Sequence, residues 1–148
     1  LTDAPSLPAV WRPHTTRIVA YATAGVIVLG MVVLAVVLAP RFQLFDRAMI
    51  VLSGLFIAWI LHMLARCRVV AADTGLTVVN AFRTRRLAWA EVLDAGMTVG
   101  EPWPTLDLAD GTSLGAMGIQ GSERARAARQ LAELQALLKQ RSEAPDPS

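Results

Sequence analysis

The sequence predicts a membrane α-helical hairpin followed by a small α+β domain, an antiparallel sheet capped by a C-terminal helix. Three observations lead there: two uncharged apolar runs early in the chain, strand-like patterning from Cys67, and one apolar stripe of helical period near the C-terminus. The hydrophobic share of 54% exceeds that of ordinary globular domains. The excess is concentrated ahead of Arg66.

Residues 1–17 read as an N-terminal tail. The first span, Ile18 to Ala39, carries no charge. At about 1.5 Å per residue it covers a hydrocarbon core of roughly 30 Å. It is too long for the apolar part of a signal peptide, and "VLAP" is a poor cleavage site. Pro40 ends the helix because proline brings no backbone donor. "PRFQLFDR" then turns the chain into a second span, Ala48 to Ala65. Residues 18–65 thus form a hairpin with both flanks on one side. Arg12, Arg17, Arg66 and Arg68 lie on that side, against Arg41 and Arg47 in the loop. The positive-inside rule therefore predicts a multi-pass protein of the cell (inner) membrane with both termini cytoplasmic. Trp11 suits the interfacial aromatic belt. His62, near the end of the second span, reads as a group reaching the headgroups rather than a proton relay. Gly54 and Ala58 permit close helix approach, within the hairpin or in a homodimer.

Residues 66–140 read as the β domain. "RVVAA", the turn "DTG", "LTVVNAF", the turn "RTRR", "LAWAEV" and "LDAGMTV" follow one another. "GEPWP" breaks the chain, and "TLDLA" and "TSLGAM" flank the hairpin signal "DG". Short strands at regular spacing predict an antiparallel meander with one covered face. Ser122 is the expected N-cap of the covering helix, and Glu123 suits its positive end. Ala127, Leu131, Leu134 and Leu138 form its apolar stripe. Burying the leucines contributes about 1.5–3 kcal/mol each. Residues 141–148 read as a disordered tail.

Charge excludes one function class. Ahead of Arg66, four arginines against two aspartates give +2; from Arg66 onward, ten basic and ten acidic side chains cancel. A neutral soluble part lacks the basic field that nucleic-acid binding requires. Cys67, the one cysteine, cannot form an internal disulfide and reads as a small residue opening a strand. The two histidines, His14 and His62, lie outside the β domain. Metal-ligand spacings, phosphate loops and nucleophile elbows are absent from the sequence, and Asp107 and Asp110 read as solvated carboxylates. The chain therefore reads as a non-enzyme without cofactor or metal.

Two apolar spans followed by "RVVAADTGLTVVNAFRTRRLAWAEV", "PWPTLDLADGT" and a closing helix resemble the bacterial PH-like domain family. The likeness is to actinobacterial two-helix membrane proteins of the PH domain-containing, low-molecular-weight antigen 6 type. Gly75, Val78, Asn80, Arg86, Trp89, Val92 and the Asp110–Gly111 turn carry it. The resemblance implies a PH-like fold, a bent antiparallel sheet capped by a C-terminal helix. It also implies a binding or scaffold module for lipids, peptides or proteins, without catalytic activity. A full PH sandwich has seven strands, and five or six are countable here. One sheet is then truncated, or a partner completes it.

Counting strands outward from the bilayer brings Arg83–Arg86 back toward it, together with Glu101–Pro104. Arg83, Arg85, Arg86 and Trp103 are thus the expected lipid- or partner-binding residues. Anionic lipid headgroups would gain about 1 kcal/mol per near-surface arginine. The alternatives are a solvated tip with an arginine paired to Glu91 or Glu101, and a membrane protein partner docked on a sheet edge. A role as accessory subunit of a transport or envelope enzyme complex is the alternative function. The hairpin register sets Asn80 opposite Trp89 and Phe82 opposite Leu87, with Trp89 in the core.

Overall fold

The computed structural model describes residues 3–143. The chain divides into two compact units, one spanning His14–Arg66 and the other joining the residues before His14 to those from Cys67 onward.

The first unit is a helical hairpin of α1 (His14–Val37) and α2 (Leu44–Ala65), both long and apolar enough to cross a membrane. Each helix starts four residues ahead of the expected span, at His14 rather than Ile18 and at Leu44 rather than Ala48. The start of α2 is fixed by Asp46, whose carboxylate accepts the Gln43 N–H at 3.2 Å. Arg47 consequently lies inside α2, and its Nε donates to the Ala35 carbonyl at 2.9 Å, near the end of α1. Small residues line the contact: a Cβ on Gly54 would stand 2.8 Å from the Met31 Cγ. Gly54 is buried and Ala58 is half-buried. Near the open end of the hairpin, the Tyr21 hydroxyl and His62 Nδ1 are 3.0 Å apart.

The second unit holds β1 (Ala9–Trp11), β2 (Arg68–Ala72), β3 (Gly75–Val79), β4 (Thr84–Leu87), β5 (Val92–Gly96), β6 (Thr105–Leu108), β7 (Ser113–Gly115) and α3 (Arg124–Glu143). They form a four-stranded sheet in the order β1-β2-β3-β4 and a three-stranded sheet in the order β5-β6-β7, all antiparallel. The core joins both sheets to α3 through Trp11, Val69, Val78, Leu106, Ile119 and Leu134.

Two expectations are corrected here. The segment read as a tail supplies β1, paired Ala9 with Ala71, Val10 with Val70 and Trp11 with Val69. The strand missing from the sequence count thus lies ahead of the helices, and the chain itself completes the sheet. Three residues are too few to show an alternation, which is why patterning does not reveal them. Trp11 is accordingly a core residue, 3% exposed, with its indole N–H donated to the Glu133 carboxylate at 2.7 Å. Burial of a large aromatic body with its N–H satisfied outweighs the interfacial position expected for it.

The hairpin register also differs. The turn is Asn80–Arg83, closed by the Asn80 N–H on the Arg83 carbonyl at 2.8 Å, and "TRRL" is a strand. Leu87 pairs with Leu76, so neither Asn80–Trp89 nor Phe82–Leu87 pairing occurs. Trp89–Glu91 is a short 3₁₀ turn, started by the Glu91 carboxylate on the Ala88 N–H at 2.6 Å, and it carries the chain to the second sheet. Trp89 packs against the core and donates to the Ala72 carbonyl at 2.9 Å. Arg141 lies 5.5 Å from its ring centroid and bonds Asp73 at 3.1 Å.

α3 starts at Arg124 and buries Ala127, Leu134 and Leu138, with Gln130 and Leu137 beside them. Leu131 is half-buried. The helix runs on through Glu143, past the expected boundary at Gln140, because Leu137 and Leu138 anchor its last turns. The rest of the expected disordered tail, residues 144–148, lies outside the described residues.

Trp11→Ala is expected to destabilise the β unit by about 3–5 kcal/mol, through the cavity and the loss of β1. Glu133→Gln keeps an acceptor for the indole and should cost about 1 kcal/mol. Denaturant unfolding of the full chain, followed by hydrogen exchange of the β2 and β3 amides, measures both.

Candidate functional site

Asn80 ties together segments that are distant in sequence. Its Nδ2 donates to the Gly115 carbonyl at 2.7 Å, and its Oδ1 accepts the Met117 N–H at 3.0 Å. The β3–β4 turn is thereby fastened to the loop that follows β7. Trp103 lies over Gly115, where a Cβ would come 2.5 Å from the indole Nε1. The Gly121 N–H donates to the Pro102 carbonyl at 2.7 Å, closing the β5–β6 loop onto the same segment. Gly118 lies against the backbone of Arg68, so the cluster sits where β1 ends and β2 begins. Its loops carry exposed side chains of both kinds: Phe82 is 73% exposed beside exposed Arg83 in the β3–β4 turn, and Val99 is 102% exposed in the β5–β6 loop, which also carries exposed Glu101.

The four expected site residues divide. Arg83 in the turn and half-buried Trp103 belong to this cluster, joined through Asn80 and Gly115. Arg85 and Arg86 do not, because the strand begins at Thr84 and strand parity sends them to opposite faces. Arg86 pairs with Thr77 on the outer face; Arg85 pairs with Val78 and lies near Glu91 and Asp110. Glu91 and Glu101, expected as possible partners of the arginines, instead cap backbone N–H groups of Ala88 and Thr98, the latter at 2.7 Å. Neither forms an ion pair with an arginine among the described residues.

Asp110, in the β6–β7 turn, has its pKa lowered from the ordinary carboxylate value. Hydrogen bonds from the Thr112 hydroxyl, 2.6 Å, and backbone N–H, 2.9 Å, hold its carboxyl below the usual carboxylate range, with the Arg85 charge adding to them. Asp110 thus stabilises the β6–β7 turn above its ordinary pKa and loses that effect as pH falls through the lowered one.

Sequence reasoning did not place Asn80, Phe82 and Val99 among the site residues. The two apolar residues in turn segments were a usable signal, whereas the Asn80 partners lie 35 and 37 residues away and left none.

Two outcomes follow from this geometry. Asn80→Ala should cost about 1–3 kcal/mol, since a carbonyl and an N–H lose their partner, and should speed hydrogen exchange in the turn and in Met117. Thr112→Val should raise the Asp110 pKa toward the ordinary carboxylate value in an NMR titration, while the backbone N–H retains part of the shift.

Among the described residues no group of three or more His, Cys, Asp or Glu could hold a metal ion. Residues 66–137 match the family model described as Bacterial PH domain. An uncharacterized protein of Mycobacterium bovis is 31% identical over 144 residues, covering 93% of this chain and 94% of its own. Uncharacterized proteins of two Mycobacterium tuberculosis strains match at the same identity and coverage. No solved structure matches the chain. With a family-model match over the β2-to-α3 segment, and relatives aligned almost end to end, the chain belongs to the bacterial PH domain family.

Proposed function

We propose that this protein is a membrane-anchored, non-catalytic binding module whose Asn80-centred loop cluster rests on anionic lipid headgroups. The observation that carries the reading is the surface of that cluster. Phe82 and Val99 are among the most exposed large apolar side chains of the β unit; Phe82 neighbours Arg83 in the β3–β4 turn, and Val99 lies in the β5–β6 loop that also carries Trp103. The cluster touches the start of β2 through Gly118; Trp11, the last residue of β1, pairs with Val69 there, and β1 and β2 are the strands that flank α1 and α2 in the chain. Apolar side chains beside a cation suit an interface that is oily on one side and negatively charged on the other.

The anchor reading is supported by the helices. Within their most apolar stretches 17% and 11% of residues are buried, whereas the core helix of a soluble protein is mostly covered. Side chains such as Val26, Leu29, Leu55 and Phe56 stay outward, as a hydrocarbon surrounding requires. A cleavable leader ending after α1 would remove β1 and Trp11 from the core, so it is disfavoured. The arginine bias of the flanks favours cytoplasmic termini. The non-catalytic reading rests on the family and on carboxylates committed to caps and turns.

The test uses the full chain in nanodiscs of neutral or partly anionic lipid, read by amide hydrogen exchange. Anionic lipid should slow exchange at Asn80–Arg83 and Thr98–Trp103. Arg83→Glu should remove about a fivefold part of that protection, equivalent to about 1 kcal/mol. Equal exchange in the two lipids would overturn the reading.

A further inference from the structure

The arginines that the loop cluster leaves out lie on an open sheet edge. β4 ends its sheet, and its Thr84–Leu87 backbone pairs on one side only, with β3. The Asn80 N–H on the Arg83 carbonyl closes the turn as a hydrogen-bonded pair. Antiparallel alternation then makes Val78–Arg85 and Leu76–Leu87 bonded pairs. The N–H and C=O groups of Thr84 and Arg86 therefore point away from β3. Among the described residues they take no further backbone partner.

The other edges differ. β5 packs against α3, whose Gln135 donates to the Ala95 carbonyl at 2.7 Å. β7 is three residues long, and its Gly115 carbonyl is held by Asn80. β1 is likewise three residues long. β4 is thus the longest edge without cover, and it carries a positive charge on each face, Arg86 outward and Arg85 on the side of Val78.

Resting on the binding-module reading above, we infer that the β4 edge is a docking strand for an extended, acidic segment of a partner protein. A strand laid beside Thr84–Arg86 receives two backbone donors and two acceptors, and its side chains fall alternately beside the two arginines. Opposite charges on neighbouring strands attract, so Arg86 on the outer face selects a carboxylate in the incoming segment, whereas Arg85 already has Glu91 and Asp110 beside it. A second copy is the poorer occupant, because β4 against β4 sets arginine opposite arginine. The competing role for edge arginines is protection against any added strand, and it gives the opposite experimental outcome.

The probe is a short synthetic peptide alternating threonine and glutamate, added to the full chain in nanodiscs of neutral lipid. Neutral lipid removes the headgroup contact proposed for Arg83, so a failure here and a failure of that contact are read separately. The control peptide keeps the charges but carries proline at central positions, which removes backbone donors. Saturable binding is expected, with the proline peptide about tenfold weaker and Arg86→Glu also about tenfold weaker. Exchange of the Thr84 and Arg86 amides should slow when the first peptide is bound. Absence of binding, equal binding of the two peptides, or unchanged exchange at those amides would overturn the inference.

Discussion

The pairing of β1 with β2 is the constraint on which the β unit depends. The two strands are neighbours in the sheet yet flank both helices in the chain. Their contact brings Trp11 into the core, where Glu133 of α3 holds its indole N–H. One aromatic side chain thus links the first strand, the sheet and the closing helix. The helical hairpin makes the pairing feasible. Its own helices pack antiparallel, with Tyr21 and His62 meeting near its open end, so the chain returns close to where it left. Loop-closure entropy for a flexible connection of that length is thereby reduced to that of two short joints.

A second consequence concerns direction. A strand that starts at Thr84 rather than after Arg86 gives the three arginines three separate settings. Arg83 stays in a turn that Asn80 fastens to the β7–α3 loop; Arg85 lies near Asp110; Arg86 stands on the outer face. The three arginines therefore do not form one continuous patch. Gly75 shows how tight this register is, since any Cβ there would overlap the Leu87 carbonyl and push β4 away.

What was legible in the sequence follows from how local its causes are. The apolar spans, the "DTG" and "DG" turns and the α3 stripe are set by neighbours within a few residues, and the structure contains each of them. β1 was not legible, because three residues have no period and their reason to be extended lies on the far side of two helices. The β3–β4 register was misplaced for a related reason. Arginines look like turn residues in isolation, but the core needs Leu76 and Val78 to be opposed by a strand. Of the candidate site, Arg83 and Trp103 fall in one cluster. The residues that build it, Asn80 and Gly115, act through contacts that a single sequence does not display.

Cross-linking measures the central pairing most directly. Val10 lies opposite Val70 in the β1–β2 register, whereas Ala72 is displaced from it along the strand. In the full membrane-reconstituted chain, Val10→Cys with Val70→Cys should form an intramolecular disulfide under mild oxidation, and Val10→Cys with Ala72→Cys should not. Failure of the first pair to cross-link, or cross-links formed only between copies, would contradict a β1 that completes its own domain.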